Sequence, residues 1–124
     1  MKKYKNLQVV SGVGKGKKIG VPTINLNPSG VDLAHGIYVC KVVFPGLIFW
    51  GVMHFGPRPT FGEEEVTLET YLFDFGTETK VPGNLELEVF DYIRPVKHFE
   101  NAELMVKEIE NDVKIAQEKI KEQA

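Results

Sequence analysis

The chain has 124 residues, of which 43% are apolar and 26% charged, and this composition is ordinary for one soluble globular domain. Its formal net charge of −2 excludes a strong overall positive field for nucleic acid, so any phosphate site must depend on a local cluster. One cysteine, Cys40, excludes an intramolecular disulfide and favours a reducing, cytoplasmic location. Because no run approaches the ~18 apolar residues of a membrane span, we expect no membrane partner.

Short runs of β-branched and aromatic residues, separated by glycine, proline and asparagine, make up about the first 95 residues. In chain order, the strand candidates are LQVVSG, GIYVCKVVF, IFWGVMHFG, EVTLETYLFDFG and LELEVFDYIRP. The PGL segment provides a turn between the second and third of these, and KVPGN provides one before the last. The pattern predicts a mainly β protein.

The C-terminal segment changes to a helical period. Apolar residues recur at steps of three and four at Val106, Ile109, Val113, Ala116 and Ile120. Asn101 is suited to be the N-cap of this helix. Many strands followed by one amphipathic helix predict a small antiparallel barrel with the helix packed on it, and residues 1–124 are predicted to form one domain.

Glycines and lysines are interspersed in the segment GVGKGKKIGVPTINL, residues 12–26. Their spacing fits neither the G-x-x-x-x-G-K-[ST] phosphate loop nor the G-x-G-x-x-G dinucleotide motif. Alternating glycines nevertheless allow backbone N–H groups to turn toward an anion, and Lys15, Lys17 and Lys18 add positive charge. A lysine-rich surface turn without a ligand is the alternative interpretation.

Thr23 and Asn25 follow Pro22 in the same segment. In extended backbone they point to the same side, where a hydroxyl and an amide carbonyl provide hard oxygen ligands. Mg²⁺ takes a few such protein oxygens and completes its shell with phosphate and water. The alternative is that Thr23 and Asn25 close a turn by local hydrogen bonds.

The segment TLETYLFDF, residues 67–75, contains a candidate general base, Glu69. In a strand, Glu69 shares one face with Tyr71, Phe73 and Phe75. A carboxylate that is partly desolvated by aromatic side chains has a raised pKa, which suits a general base. The alternative is an ordinary charge on a solvent-facing sheet surface. The histidines, His54 among them, show no ligand spacing and are interpreted as structural.

These segments, taken in order, resemble the riboflavin kinase (flavokinase) family, which includes the kinase domain of bifunctional FAD synthetases. The family's glycine-basic-glycine loop before Pro-Thr-Ala-Asn stands here as GVGKGKKIGVPTINL, and its G-x-Y strand as HGIYVCKVVF. Its S-I-G-x-N-P-T-F segment stands as MHFGPRPTF, its E-x-H-x-x-D-F strand as ETYLFDFG, and its final motif as IRPVKHFENAELMVKEIENDV. The order and approximate spacing hold over nearly the whole chain.

The resemblance implies a six-stranded antiparallel Greek-key barrel with a C-terminal α-helix. It implies an enzyme that transfers the γ-phosphate of ATP to the ribityl 5′-hydroxyl of riboflavin and so produces FMN. The implied partners are riboflavin and ATP, with Mg²⁺ as the cofactor and no nucleic acid. We expect a monomer.

The resemblance also assigns roles to single residues. The positions matched to the nucleotide site are Gly12, Gly14, Lys15, Gly16, Lys17, Pro22, Thr23 and Asn25. Thr23 and Asn25 match the pair that holds Mg²⁺ with the nucleotide, and Glu69 matches the base that deprotonates the riboflavin hydroxyl. The flavin side is assigned to Arg94, Phe99 and Leu104.

Some positions depart from the family pattern. Tyr71 replaces a usual His, and Arg58 replaces a usual Asn. The His-x-Gly-His signature of the adenylyltransferase half is missing from this sequence, so we do not expect the chain to make FAD by itself. Two further interpretations remain open: a non-catalytic flavin- or nucleotide-binding β-barrel, and a small interaction module whose lysine loop binds an acidic partner.

Overall fold

The computed structural model describes residues 1–10, 23–58, 63–76 and 80–123. The sequence-predicted phosphate loop therefore lies outside the described residues, apart from its last positions. The loop residues concerned are Gly12, Gly14, Lys15, Gly16, Lys17 and Pro22. Their assignment to the nucleotide site stays a prediction.

Within the described ranges, six strands and one helix follow one another along the chain. They are β1 Lys2–Val10, β2 Thr23–Leu26, β3 Gly36–Phe44, β4 Leu47–Arg58, β5 Glu63–Leu72, β6 Asn84–Arg94 and α1 Ala102–Gln123. All strand pairs are antiparallel, and the strands close into a barrel in the order β1-β2-β5-β4-β3-β6. Because β3, β4 and β5 are successive neighbours and β6 returns beside β3, the topology contains a Greek key. The predicted fold class is confirmed.

The interior of the barrel is filled by alternate side chains of the strands, as expected for a barrel of this size. Its fully buried members include Leu26, Cys40, Val42, Met53, Leu68 and Leu87. Burial raises the pKa of the Cys40 thiol, so the cysteine stays protonated and acts as a small apolar residue. Cys40 is therefore a core residue of the barrel.

Helix α1 covers part of the outer face of the barrel. Its Ala116 is buried against Val39 and Val52, with Val113 and Ile120 packed at the edge of the same cluster. This arrangement confirms the predicted packing of the helix on the sheet. At the start of the helix, the Oδ1 of Asn101 accepts a hydrogen bond from the backbone N–H of Leu104 at 2.9 Å, which confirms the predicted N-cap.

Strand β5 is shorter than the sequence predicts. The predicted segment extends to Gly76, but the strand ends at Leu72 and Asp74 has a φ of 58°. This turn breaks the alternation of side chains, so Phe75 packs against the interior cluster and not on the face that carries Glu69. The placement of Phe75 beside Glu69 was wrong.

Gly51 of β4 occupies a position where the backbones of β4 and β5 leave no room for a side chain. A Cβ atom at this residue would lie 2.2 Å from the carbonyl oxygen of Tyr71. We expect Gly51→Ala to lower the free energy of unfolding by about 3 kcal/mol, because the two strands must separate. Urea unfolding measures this loss. Gly83→Ala is the control because its Cβ would meet nothing within 4 Å, and equal losses in the two variants would contradict the expectation.

Among the described residues, no helix combines the length and the hydropathy needed to cross a membrane.

Candidate active site

Three neighbouring strands, β2, β5 and β4, carry polar side chains on the outer face of the barrel. In the antiparallel register, Asn25 of β2 is opposite Glu69 of β5, and Glu69 is opposite His54 of β4. Directly opposed residues point to the same face with their Cβ atoms about 5 Å apart. Asn25, Glu69 and His54 therefore form one row across the three strands, called here the Glu69 row. Leu68, one position away from Glu69, points into the barrel.

A second row adjoins the Glu69 row toward the beginning of β2. In this row Thr23 is opposite Tyr71, and Tyr71 is opposite Val52. The structure therefore places Thr23 and Asn25 on the same face, two residues apart, as their spacing predicts. It also brings this pair next to Glu69, which the spacing alone does not indicate.

Glu69 is buried although it lies on the outer face. Its exposed fraction is 3%, so it is not an ordinary charge on a solvent-facing sheet surface. Tyr71 and Phe73, which follow it on the same face, pack against the cluster under helix α1. Tyr71 is the next residue of β5 on the face of Glu69, and the desolvation of Glu69 by aromatic side chains stays a prediction.

The hydroxyl groups of two threonines near Glu69 form hydrogen bonds from β5 to its two neighbouring strands. The Oγ1 of Thr70 donates to the carbonyl oxygen of Ile24 at 3.0 Å, inside the barrel. The Oγ1 of Thr67 donates to the carbonyl oxygen of Gly56 at 3.2 Å. Both bonds add to the backbone ladder that holds β5 between β2 and β4.

The segment after β6 passes over the outer face of β4 beside the Glu69 row. A Cβ at Gly56 would lie 3.1 Å from the Cγ2 of Val96 and 3.1 Å from the Cβ of His35, so these two residues occupy the space above Gly56. Gly56 is two positions from His54 along β4. The segment assigned to the flavin by resemblance therefore borders the row that contains Glu69.

Arg94, at the end of β6, is held by an acidic residue of the helix. Its Nε and Nη2 donate to the two carboxylate oxygens of Asp112 at 2.9 and 2.8 Å, and its Nη1 donates to the carbonyl oxygen of Pro95. The centre of the Phe99 ring lies 5.8 Å from the guanidinium carbon, within the range of a cation–π contact. Arg94 thus connects the end of β6, the following segment and helix α1.

Sequence reasoning missed Asp112. Its exposed fraction is 1%, and burial raises the pKa of its carboxyl group, whereas the hydrogen bonds and positive charge of Arg94 oppose the rise. The available signal was its spacing, since Asp112 lies three residues after Ile109 and four before Ala116, on the buried face of the helix.

Leu104, which the resemblance assigns to the flavin side, is 43% exposed on the first turn of the helix.

The oxygen donors near Glu69 fit a magnesium ion that is bound together with phosphate. Thr23 offers a hydroxyl and Asn25 an amide carbonyl, both of them hard oxygen ligands. Over the described ranges, no group of three or more histidine, cysteine, aspartate and glutamate side chains could hold a metal ion by itself. A donor pair of this kind needs oxygens from a phosphate group and water to complete the shell.

A family model supports the resemblance seen in the sequence. The model of the Flavokinase family, described as riboflavin kinase, matches residues 4–120. The chain belongs to the riboflavin kinase family.

Individual relatives agree with this membership. The chain is 33% identical over 106 residues to the RNA-binding riboflavin kinase RibR of Bacillus subtilis (strain 168), and the match covers 85% of this chain and 46% of that protein. It is 31% identical over 110 residues to the trifunctional protein RibF/MnmA of Mycoplasmoides gallisepticum, with 87% and 17% covered. It is 28% identical over 120 residues to the riboflavin kinase of Homo sapiens, with 91% and 77% covered. The chain thus spans less than half the length of the first two relatives.

A solved structure has a similar fold. Its title is Crystal Structure of Macrolide-efflux Protein from Streptococcus pneumoniae, and it matches with a TM-score of 0.74 and 27% sequence identity. The match covers 91% of this chain and 38% of that chain. The likeness therefore extends over nearly all of the barrel and helix described above.

Proposed function

We propose that this protein is an ATP-dependent riboflavin kinase, which transfers the γ-phosphate of ATP to the ribityl 5′-hydroxyl of riboflavin and forms FMN. The observation that supports this function best is the Glu69 row. It places a buried carboxylate directly opposite Asn25 and beside Thr23, in a chain of the riboflavin kinase family.

Glu69 is the general base of this proposal. Phosphoryl transfer to an alcohol depends mainly on in-line positioning and on neutralisation of charge, and the protein has little covalent chemistry to perform. The carboxylate of Glu69 has to accept the proton of the 5′-hydroxyl as the oxygen attacks the phosphorus atom. The fixed position of β5 between β2 and β4 keeps the carboxylate in place, and its burial limits competition from water.

Thr23 and Asn25 hold Mg²⁺ in this proposal. When bound, the ion neutralises charge on the phosphate groups of the nucleotide. Gly12, Gly14, Lys15, Gly16, Lys17 and Pro22 complete the proposed nucleotide site, and this part of the assignment rests on the sequence alone. The described residues that flank this segment, Val10 and Thr23, lie on the paired strands β1 and β2.

The flavin site of the proposal lies at the segment after β6 and the first turn of α1. The half-buried ring of Phe99 and the exposed side chain of Leu104 offer apolar surface to a flat aromatic ligand. The guanidinium group of Arg94 is already engaged by Asp112, so Arg94 contributes by holding the segment and the Phe99 ring in position.

Formation of FMN tests the proposed function. The protein is incubated with riboflavin, Mg²⁺ and either ATP or CTP, and the products are separated by chromatography with fluorescence detection. We expect FMN to form with a nucleotide and Mg²⁺ and not to form when either is omitted. No FMN with any common nucleotide or divalent metal would overturn the proposal. Tight flavin binding without phosphate transfer would support a non-catalytic flavin-binding barrel instead.

The remaining expectations concern the whole protein and are kept as predictions. They are a monomeric state, a cytoplasmic location and the lack of a nucleic-acid partner. The name of the Bacillus subtilis relative attributes RNA binding to that protein. The net charge of −2 gives this chain no general attraction for RNA.

A further inference from the structure

His54 was interpreted as structural from the sequence, but the structure places it directly opposite Glu69. The two residues are a register pair of β4 and β5 on the outer face of the barrel. Their exposed fractions are 9% and 3%, so both polar side chains are removed from bulk water. With Cβ atoms about 5 Å apart, the imidazole ring and the carboxylate are within reach of each other.

The other neighbours of His54 in the sheet are apolar or lack a side chain. On the β3 side of the sheet, His54 is opposite Ile37. Along β4, the next residues on the same face are Val52 and Gly56. Ile37 and Val52 belong to the apolar cluster under helix α1. Of these four adjoining positions, Glu69 is the one that carries a polar side chain.

We propose that His54 is a positioning residue, whose ring N–H donates a hydrogen bond to the carboxylate of Glu69. Buried polar groups are almost always hydrogen-bonded, and a carboxylate can accept such a bond while its other lone pairs stay available. The bond fixes the orientation of the Glu69 carboxylate, as proton transfer from the riboflavin 5′-hydroxyl requires. This inference rests on the proposed function, in which Glu69 is the general base.

Two amide variants test the inference without removing the polar character of position 54. In the variant His54→Asn, the side-chain amide nitrogen takes the place of the ring Nδ1 as a hydrogen-bond donor. In His54→Gln, the amide nitrogen takes the place of the ring Nε2. We expect one variant to retain kcat for FMN formation within about fivefold, and the other to lose about 10- to 100-fold, since a small misplacement of a catalytic group has effects of this size. The KM values for riboflavin and ATP are expected to change by less than about twofold in both, because a positioning residue acts on the chemical step through Glu69 and not on substrate binding.

Ile37→Val is the matched control, because it changes the packing on the other side of His54 and leaves the polar pair intact. We expect this control to retain kcat within about twofold. Thermal unfolding of all three variants separates a positioning role from lost stability. Equal kcat values for the two amide variants, whether retained or lost, would overturn the inference, as would losses that follow the melting temperatures.

The same series separates this inference from the proposed function. If the wild-type protein forms no FMN, both the proposed function and the inference about His54 are wrong. If the wild-type protein forms FMN and Glu69→Gln reduces the rate, but both His54 variants behave as wild type, only the inference about His54 falls.

Discussion

Replacing Glu69 with glutamine is expected to lower kcat for FMN formation by about 10²- to 10⁴-fold, the usual contribution of a general base. Glutamine has nearly the same shape as glutamate and can stay in the buried site opposite Asn25 and His54. It cannot accept the proton of the 5′-hydroxyl. Riboflavin and nucleotide dissociation constants, measured by fluorescence quenching and calorimetry, should therefore change far less than kcat.

Glu65→Gln is the matched control for this experiment. Glu65 lies on the same strand, carries the same functional group and is exposed. We expect its kcat to equal that of the wild-type protein. If Glu69→Gln retained the wild-type kcat, Glu69 would not be the base, and the proposed chemistry of the Glu69 row would be wrong.

Replacing Arg94 with alanine is expected to lower the free energy of unfolding by about 3–5 kcal/mol, which is a large part of the stability of a small domain. The variant removes both hydrogen bonds from the carboxylate of Asp112, which is almost fully buried. The uncompensated carboxylate then has to be buried as a charge or take up a proton, and either change weakens the contact between α1 and β6. Urea unfolding measures the loss.

Lys119→Ala is the control for the loss of an ion pair as such. The Nζ of Lys119 lies 3.8 Å from the Oδ2 of Asp91, and the two side chains are 34% and 47% exposed. Pairs of this kind contribute less than about 1 kcal/mol, so the control should unfold almost as the wild type does. An equally small loss for Arg94→Ala would show that the pair with Asp112 does not hold the helix.

Local sequence patterns predicted the elements whose structure depends on neighbours along the chain. Strand β3 coincides with the run GIYVCKVVF, because its β-branched and aromatic residues favour a strand that ends at the turn containing Gly46. The helix begins after Asn101, whose side chain caps it, and buries Ile109 and Ala116 of the predicted apolar stripe. The same-face placement of Thr23 and Asn25 follows from the two-residue period of a strand.

Features that depend on pairing between distant segments were not predictable from these patterns. Nothing in the spacing shows that β5 pairs with both β2 and β4, so the neighbours of Glu69 across the sheet became apparent only from the register. The same limit explains why His54 was interpreted as structural. The burial of Asp112 depends on Arg94, which is 18 residues away along the chain. The sequence named Glu69, Thr23 and Asn25 as candidates, and their roles stay predictions, but it did not show which residues adjoin them across the sheet.

Transfer of labelled phosphate from [γ-³²P]ATP to riboflavin under single-turnover conditions tests the central claim most directly. The wild-type protein and Glu69→Gln are compared with both substrates bound at saturation, so that only the chemical step is measured. We predict labelled FMN from the wild-type protein and a transfer rate about 10²- to 10⁴-fold lower for Glu69→Gln. The account would be contradicted by no label in FMN with the wild-type protein, or by equal transfer rates for the two proteins.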